Sequence, residues 1–164
     1  MKNIDQLSVY IDTIGKKLEK KFIKAHQETA EQILKDVIDS APLRSGRYIG
    51  SIKKSDTFEK DGVYKTFIYT DLPVGGDNPK WSNVPLGALL EWGTGIQGAS
   101  TNTYPHGYSY RLTPWCYYDE YLHMFVTTDG MIARPHFLPS LQKNKNYYLD
   151  KLSEAMRKWK KWES

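Results

Sequence analysis

The sequence carries the side-chain types that acid–base and nucleophilic chemistry need, and their spacing decides what they can do. Carboxylates stand at Glu91, Asp119, Glu120 and Asp129, imidazoles at His26, His106, His123 and His136, hydroxyls at Ser45 and Ser140, and the one thiol at Cys116. General acid–base catalysis needs two such groups in mutual reach and a further group to stabilise developing charge. No spacing along the chain supplies that pair. Ser45 and Ser140 lack a nucleophile-elbow context, and Cys116, between Trp115 and Tyr117 in a strand-like run, reads as a buried, inert thiol. A single cysteine excludes an internal disulfide, and the histidines lack the short paired spacings of zinc sites. The expectation is a chain with no catalytic residue, metal, cofactor or small-molecule substrate.

The stretch that organises the rest is Leu89-Leu90-Glu91-Trp92-Gly93-Thr94-Gly95. Leu86, Leu89 and Leu90 stand at helical spacing behind Pro85, which suits a first helical position, so a short helix should bury all three leucines. Gly93 and Gly95 permit a sharp turn after Trp92, which holds Glu91 at the rim of a core. The block is no phosphate-cradling loop, because no lysine follows the glycines and no strand clearly precedes them.

Two further blocks flank it. Upstream lies Ala41-Pro42-Leu43-Arg44-Ser45-Gly46-Arg47-Tyr48-Ile49-Gly50-Ser51-Ile52; downstream lies Thr127-Thr128-Asp129-Gly130-Met131-Ile132-Ala133-Arg134-Pro135-His136-Phe137-Leu138. In this order the three resemble the small neck and tail-completion family (head-tail joining, or minor tail, proteins) of long-tailed bacteriophages. That family's pattern is an Ala-Pro then Thr-Gly-x-Leu-x-x-Ser-Ile block, a Glu-x-Gly-Thr block, and an Ala-Arg-Pro-Phe-Leu block leading into a last helix. The likeness runs from about Ile4 to Trp159. Ser45 stands where threonine is usual, Tyr48 or Ile49 serves for the leucine, and His136 is inserted between Pro135 and Phe137.

The resemblance implies a structural virion protein, made in the bacterial host cytoplasm. Its copies would form a ring, a homo-oligomer, facing a head connector on one rim and tail-tube or tail-terminator proteins on the other. The junction and subunit-interface candidates are Gly46, Glu91, Trp92, Gly93, Thr94, Arg134, Pro135 and Phe137, with an expected ion pair between Glu91 and Arg134, within or between subunits, and with Trp92, Phe137 and Leu138 packed beside it. A competing class is a basic DNA-binding module. Lys16, Lys17, Lys20, Lys21 and Lys24 are the candidate DNA-facing residues, either in that module or lining the channel of a ring; such a lysine face is most often an ordinary solvated surface.

Composition agrees with one soluble domain of 164 residues: 40% hydrophobic and 26% charged, with a net charge of +4. The polar start Met1-Lys2-Asn3-Ile4-Asp5 is no secretory signal, and no apolar run approaches the ~20 residues of a membrane span. Twelve tyrosines and five tryptophans are many for this length, and they suit either a partner-rich surface or the lining of a small core.

The elements that must position these residues follow from periodicity. Leu7, Ile11, Ile14, Leu18, Phe22, Ala25, Ile33 and Val37 predict a long amphipathic helix over 4–39. At ~1.5 Å per residue it would run roughly 50 Å, so it either breaks near His26–Glu28 or projects onto a neighbour. Gly46 and Gly50 would let the following turn lie close to other backbone. Asp61-Gly62 between two β-rich runs predicts a hairpin, and Asp119-Glu120 a second one. Residues 96–110 read as a surface loop that orders on assembly. Leu141, Tyr148, Leu149, Leu152, Met156 and Trp159 predict a helix over 138–161, whose basic last turns suit the negative end of its dipole. The fold class expected is α+β, with long N- and C-terminal helices on a small antiparallel sheet built from two hairpins.

Overall fold

The structure is a computed structural model that describes residues 4–42, 46–72, 86–101, 111–119 and 122–160. It is a mixed helix-and-strand fold. In chain order its elements are α1 (Ile4–Ser40), α2 (Gly46–Ser51), β1 (Ile52–Lys54), β2 (Phe58–Lys60), β3 (Val63–Lys65), β4 (Ile68–Thr70), α3 (Leu86–Trp92), α4 (Gly95–Thr101), β5 (Trp115–Asp119), β6 (Met124–Thr128), β7 (Gly130–Met131) and α5 (Phe137–Lys160).

The chain divides into two compact units. One comprises residues 1–39, 54–68 and 140–164, the other 40–53 and 69–139. The first is built on α1, a single 37-residue helix with no break at His26–Glu28. Ala25, Thr29, Ala30 and Val37 are its buried positions, and the Thr29 hydroxyl returns to the Ala25 carbonyl at 2.8 Å, which satisfies a polar group inside. The part of α5 in this unit turns Ser140, Asn144 and Ala155 inward. Asn144 donates to Asp36 at 2.7 Å and to the Ser140 carbonyl at 2.9 Å, while Lys143 and Lys151 pair with Asp36 and Glu28. The Asn144 amide, with Lys143 beside it, holds the Asp36 carboxyl below its ordinary range. On α5 the inward stripe is small and polar, whereas Leu141, Leu149 and Met156 are half exposed.

The hairpin of this unit turns at Asp61 and Gly62, both with positive φ (57° and 73°), the arrangement of a type I′ turn whose twist matches paired strands. Strands β2 and β3 pair antiparallel with Lys60 opposite Val63. Further along the same arms β1 pairs with β4, so the hairpin carries two short ladders. Between them the Ser55 N–H donates to the Phe67 carbonyl and the Phe67 N–H to Ser55 Oγ, both at 2.9 Å. A hydroxyl pair, Thr57 with Thr66 at 2.9 Å, extends to His26 Nε2 at 3.1 Å, and burial pushes the His26 imidazole below its usual range.

In the second unit β5 and β6 pair antiparallel from Trp115 opposite Thr128 to Asp119 opposite Met124. Asp119, expected in the turn with Glu120, is the last described residue of β5 and stands opposite Met124, while Glu120 lies outside the described residues. The Leu122 N–H is held by Asp119 Oδ1 at 2.9 Å, and His123 takes φ 52°. Among the described residues the strands form three two-stranded ladders, which with the long N- and C-terminal helices give the expected α+β fold. Residues 96–101 of the expected loop are helical, within α4; residues 102–110, like Pro85 and Ser45, lie outside the described residues. Cys116 is exposed, not buried, because β5 and β6 present most of their side chains outward.

Candidate functional site

The Glu91 block begins in α3, a seven-residue helix whose inward positions are Gly87 and Glu91, one turn apart. The three leucines expected in the core are only half-buried. Gly87 is inward because nothing larger fits: a Cβ there would lie 2.5 Å from Thr70 Cγ2, 3.2 Å from the Tyr48 hydroxyl and 3.5 Å from the Phe137 ring.

After Trp92 the chain crosses another backbone at contact distance. The Gly93 N–H donates to the Leu89 carbonyl at 2.8 Å, closing α3, and Gly93 then takes φ 74°. A Cβ on Gly93 would lie 2.5 Å from the Met131 carbonyl oxygen and 2.7 Å from the Ala133 nitrogen; one on Gly130 (φ 105°) would run into the Thr94 carbonyl. Bridges join Thr94 to Met131 and Gly95 to Gly130, and the Thr94 hydroxyl accepts the Met131 N–H at 3.0 Å. The Arg134 N–H donates to the Leu90 carbonyl at 2.7 Å. The glycines of two family-like blocks therefore serve one purpose, letting two main chains lie against each other.

This crossing delivers the start of α5 to Glu91, which is only 3% exposed and so lies within the core and not at its rim. Glu91 Oε2 accepts the N–H groups of His136 (2.7 Å) and Phe137 (2.9 Å), and Oε1 accepts that of Leu138 (2.8 Å). A helix leaves its first N–H groups without intrahelical partners and carries positive charge at that end, so a buried carboxylate from another element caps it twice over, by hydrogen bonds and by charge.

His136 joins this clamp to the third block. Its ring is fully buried, with Nδ1 2.9 Å from the Arg134 carbonyl and 3.4 Å from Glu91 Oε2, and with Nε2 2.6 Å from the Tyr48 hydroxyl. A carbonyl only accepts, so Nδ1 carries the proton and Nε2 accepts the Tyr48 O–H. Burial, with the Glu91 charge nearby, pushes the Tyr48 phenol up to about 12, which keeps it a donor. Ser51 completes the block: its hydroxyl donates to the Tyr48 carbonyl and meets Thr70 Oγ1, both at 2.6 Å.

The structure thus brings the three blocks together around Tyr48, Glu91 and His136. A carboxylate, an imidazole and a phenol in a row have the composition of a proton relay, yet all three are covered, and what they do here is hold main chain in place. Trp92 is half-buried, and Phe137 stacks its ring against His136 at 4.8 Å. Arg134 contributes backbone, its N–H to Leu90 and its carbonyl to His136, while its side chain, like Pro135, is exposed, and the Glu91 oxygens cap α5. Leu138, expected in the core, is half exposed. Gly46 and Gly50 meet nothing within 4 Å of a built Cβ, so they make no close approach.

His136 and Tyr48 are the residues that sequence reasoning passed over. His136 stood out only as an insertion in the block, and 88 positions separate the pair. Elsewhere, α1 carries seven acidic and six basic side chains. Lys16 pairs with Asp12 at 2.8 Å and Lys24 with Glu28 at 3.9 Å; Lys17 and Lys20 are exposed and Lys21 half-buried, so the lysine face is interleaved with acids. Among the described residues no group of three or more His, Cys, Asp or Glu converges as a metal site, and no helix is long and apolar enough to cross a membrane.

The molecule is a mixed helix-and-strand protein whose polar interior site fixes backbone and whose second unit leaves several aromatic side chains exposed. Residues 5–87, half of the chain, match the family described as "Bacteriophage HK97-gp10, putative tail-component", and the chain belongs to that family of phage tail components. The match covers the Tyr48 block; the Glu91 and Arg134 blocks lie beyond it. No curated protein and no solved structure gives a significant match. A tail component is a virion protein with a structural role among other virion proteins.

Proposed function

We propose that copies of this chain assemble into a ring at the neck or tail end of the phage particle and help join tail to head. The observation that carries this reading is the exposed apolar surface of the second unit's β5–β6 hairpin, where Phe125 is 70% and Tyr118 50% exposed. Monomers seldom leave such side chains grouped in water, whereas assembly proteins bury them on a neighbour. The Tyr48–Glu91–His136 junction fits the same role, because a ring subunit must present its surfaces on a backbone that does not yield. Head-connector and tail-tube or tail-terminator proteins are the neighbours on this reading, and Arg134 and Pro135 are the exposed residues of the junction, Gly93 being buried and Thr94 half-buried.

The test is the mass of the purified protein by light scattering over a concentration series at physiological salt, followed by addition to tails lacking it. Discrete rings, or restored head-tail joining, support the proposal; a chain that neither assembles nor enters particles refutes it. Contact of the ring lumen with DNA is a subsidiary reading. It rests on α5, which holds six basic and two acidic side chains. Binding that falls steeply between low and physiological salt would mark it as phosphate-driven.

A further inference from the structure

Within the first unit α1 and α5 run antiparallel. Asn144 meets Asp36 at 2.7 Å, and further along α5 Lys151 meets Glu28 at 3.0 Å, further back along α1. Both helices rise about 1.5 Å per residue, so this register sets the last turns of α5 level with Lys20, Lys21 and Lys24. Basic stretches from the two ends of the chain therefore share one end of the unit.

The charge gathered there dominates the molecule. Residues 12–28 and 151–160 hold nine basic and four acidic side chains, net +5, while the remaining fourteen basic and fifteen acidic side chains leave the rest of the chain at −1. Along the sequence acids interrupt the lysines; around the helix they separate from them. At about 100° per residue, Lys17, Lys20, Lys21 and Lys24 fall within an arc of about 100°, with Lys16 at its edge. Glu19 and His26 stand on the far side of α1, where Glu19 accepts the Tyr64 hydroxyl and His26 meets Thr66 of the β2–β3 hairpin arms. Asp12 pairs with Lys16, and Glu28 lies between Lys24 and Lys151. The arc is open to water: Lys17, Lys20 and Lys24 are exposed, as is Arg157 on α5.

We infer that this two-helix face binds the phosphate backbone of duplex DNA. The assignment rests on the DNA-contact reading and gives it a surface; it does not depend on ring closure. Residues 16–24 span about 12 Å of helix, over which one DNA strand presents three to four phosphates. Between Lys16 and Lys24 the arc holds lysines alone, so the contact grips backbone and reads no bases. A protein partner fits less well, because interface cores favour aromatic residues and arginine and are poor in lysine. A lipid surface also fits less well: the apolar stripe of α1 at this level, Leu18, Phe22 and Ala25, is half-buried or buried, which leaves nothing to insert among acyl chains.

The experiment titrates the full-length chain against two labelled DNA duplexes of unrelated sequence, read by fluorescence anisotropy. With about four phosphates contacted, binding should weaken about 150-fold between 50 and 200 mM salt, equally for both sequences. Lys17→Gln/Lys20→Gln/Lys24→Gln should stay helical by circular dichroism, bind at least about tenfold more weakly at 50 mM salt, and flatten the logarithmic salt slope by about 2.7; Arg157→Gln should flatten it by about 0.9. Arg47→Gln/Lys60→Gln/Arg111→Gln, which removes the same charge elsewhere, should keep the native slope. Folded α1 or Arg157 variants that bind with the native slope would overturn the two-helix face and leave the DNA-contact reading standing. Equal losses in the patch and control variants overturn it too, since net charge alone would then govern binding. Tighter capture by phosphatidylserine-containing vesicles, or by polyglutamate, than by duplex at the same salt overturns it in favour of a lipid or an acidic protein. A native chain that binds neither duplex at low salt takes the DNA-contact reading down with it.

Discussion

Replacing Glu91 by alanine is the sharpest test of the junction, because one side chain holds three main-chain donors and one end of a 24-residue helix. Hydrogen bonds to a charged group contribute about 1.5–3 kcal/mol each when only the pair is counted, and a lost helix cap about 0.5–2 kcal/mol. These contributions overlap, since the same N–H groups figure in both, and alanine admits no new acceptor at a site 3% exposed. A total loss of about 3–5 kcal/mol is expected, the range for breaking a buried charged network. For a chain of this length that lowers the thermal midpoint by roughly 10–15 °C. Glu91→Gln keeps the shape but turns one oxygen into a donor facing an N–H, so its loss should be about half as large. Thermal unfolding by circular dichroism gives the midpoint, and hydrogen exchange at the amides of His136, Phe137 and Leu138 localises the effect. If Glu91→Ala melts within about 2 °C of the native chain and those three amides exchange no faster, the cap is not what holds this unit together.

Three other outcomes follow from the same geometry. Tyr48→Phe leaves His136 Nε2 buried without its donor and should cost about 1–3 kcal/mol in denaturant titration at neutral pH. The Tyr48 phenol is raised from 10 to about 12 in the folded state, so its stabilisation is full below pH 10 and is lost as pH rises through 12; Tyr48→Phe should flatten that alkaline limb of the stability curve. Gly130→Ala forces a Cβ into the Thr94 carbonyl at φ 105° and should abolish the native fold of this unit, read as loss of the dispersed amide spectrum, whereas Gly50→Ala, in open space, should be neutral or slightly stabilising. Asp36 is held below its ordinary range by Asn144, so its contribution is present above the unfolded carboxylate pKa and lost as pH falls; Asp36→Asn should reduce acid sensitivity between native and variant titrations.

What the sequence made legible is what local forces decide. The periodicity of α1 and α5 placed both helices within a residue or two, and Asp61-Gly62 marked its hairpin because positive φ at two successive positions is a property of those residues themselves. The site was legible as three blocks and not as contacts. Glu91 stands 45 positions from His136, and its role depends on donors that any residue type supplies from the backbone, so nothing in residue identity announces it. α4 was hidden for a related reason: Gly95–Thr101 has no apolar period, and its start is set by the crossing with β7, where Gln97 N–H reaches the Asp129 carbonyl. Cys116 and its neighbours misled because β-forming composition says nothing about whether a strand is covered.

The spread of the junction along the chain also fixes when it can close. Tyr48, Glu91 and His136 come from early, middle and late synthesis, and the hydrogen bonds that join His136 to the other two cannot form until it has left the ribosome. Contacts between such distant positions form slowly, after the local hairpins and helix turns are in place. A chain interrupted before residue 136 would lack the imidazole that Tyr48 bonds and the three main-chain N–H groups that Glu91 accepts. The unit that bears the β5–β6 hairpin therefore gains the cap on α5 only in a chain translated past the third block.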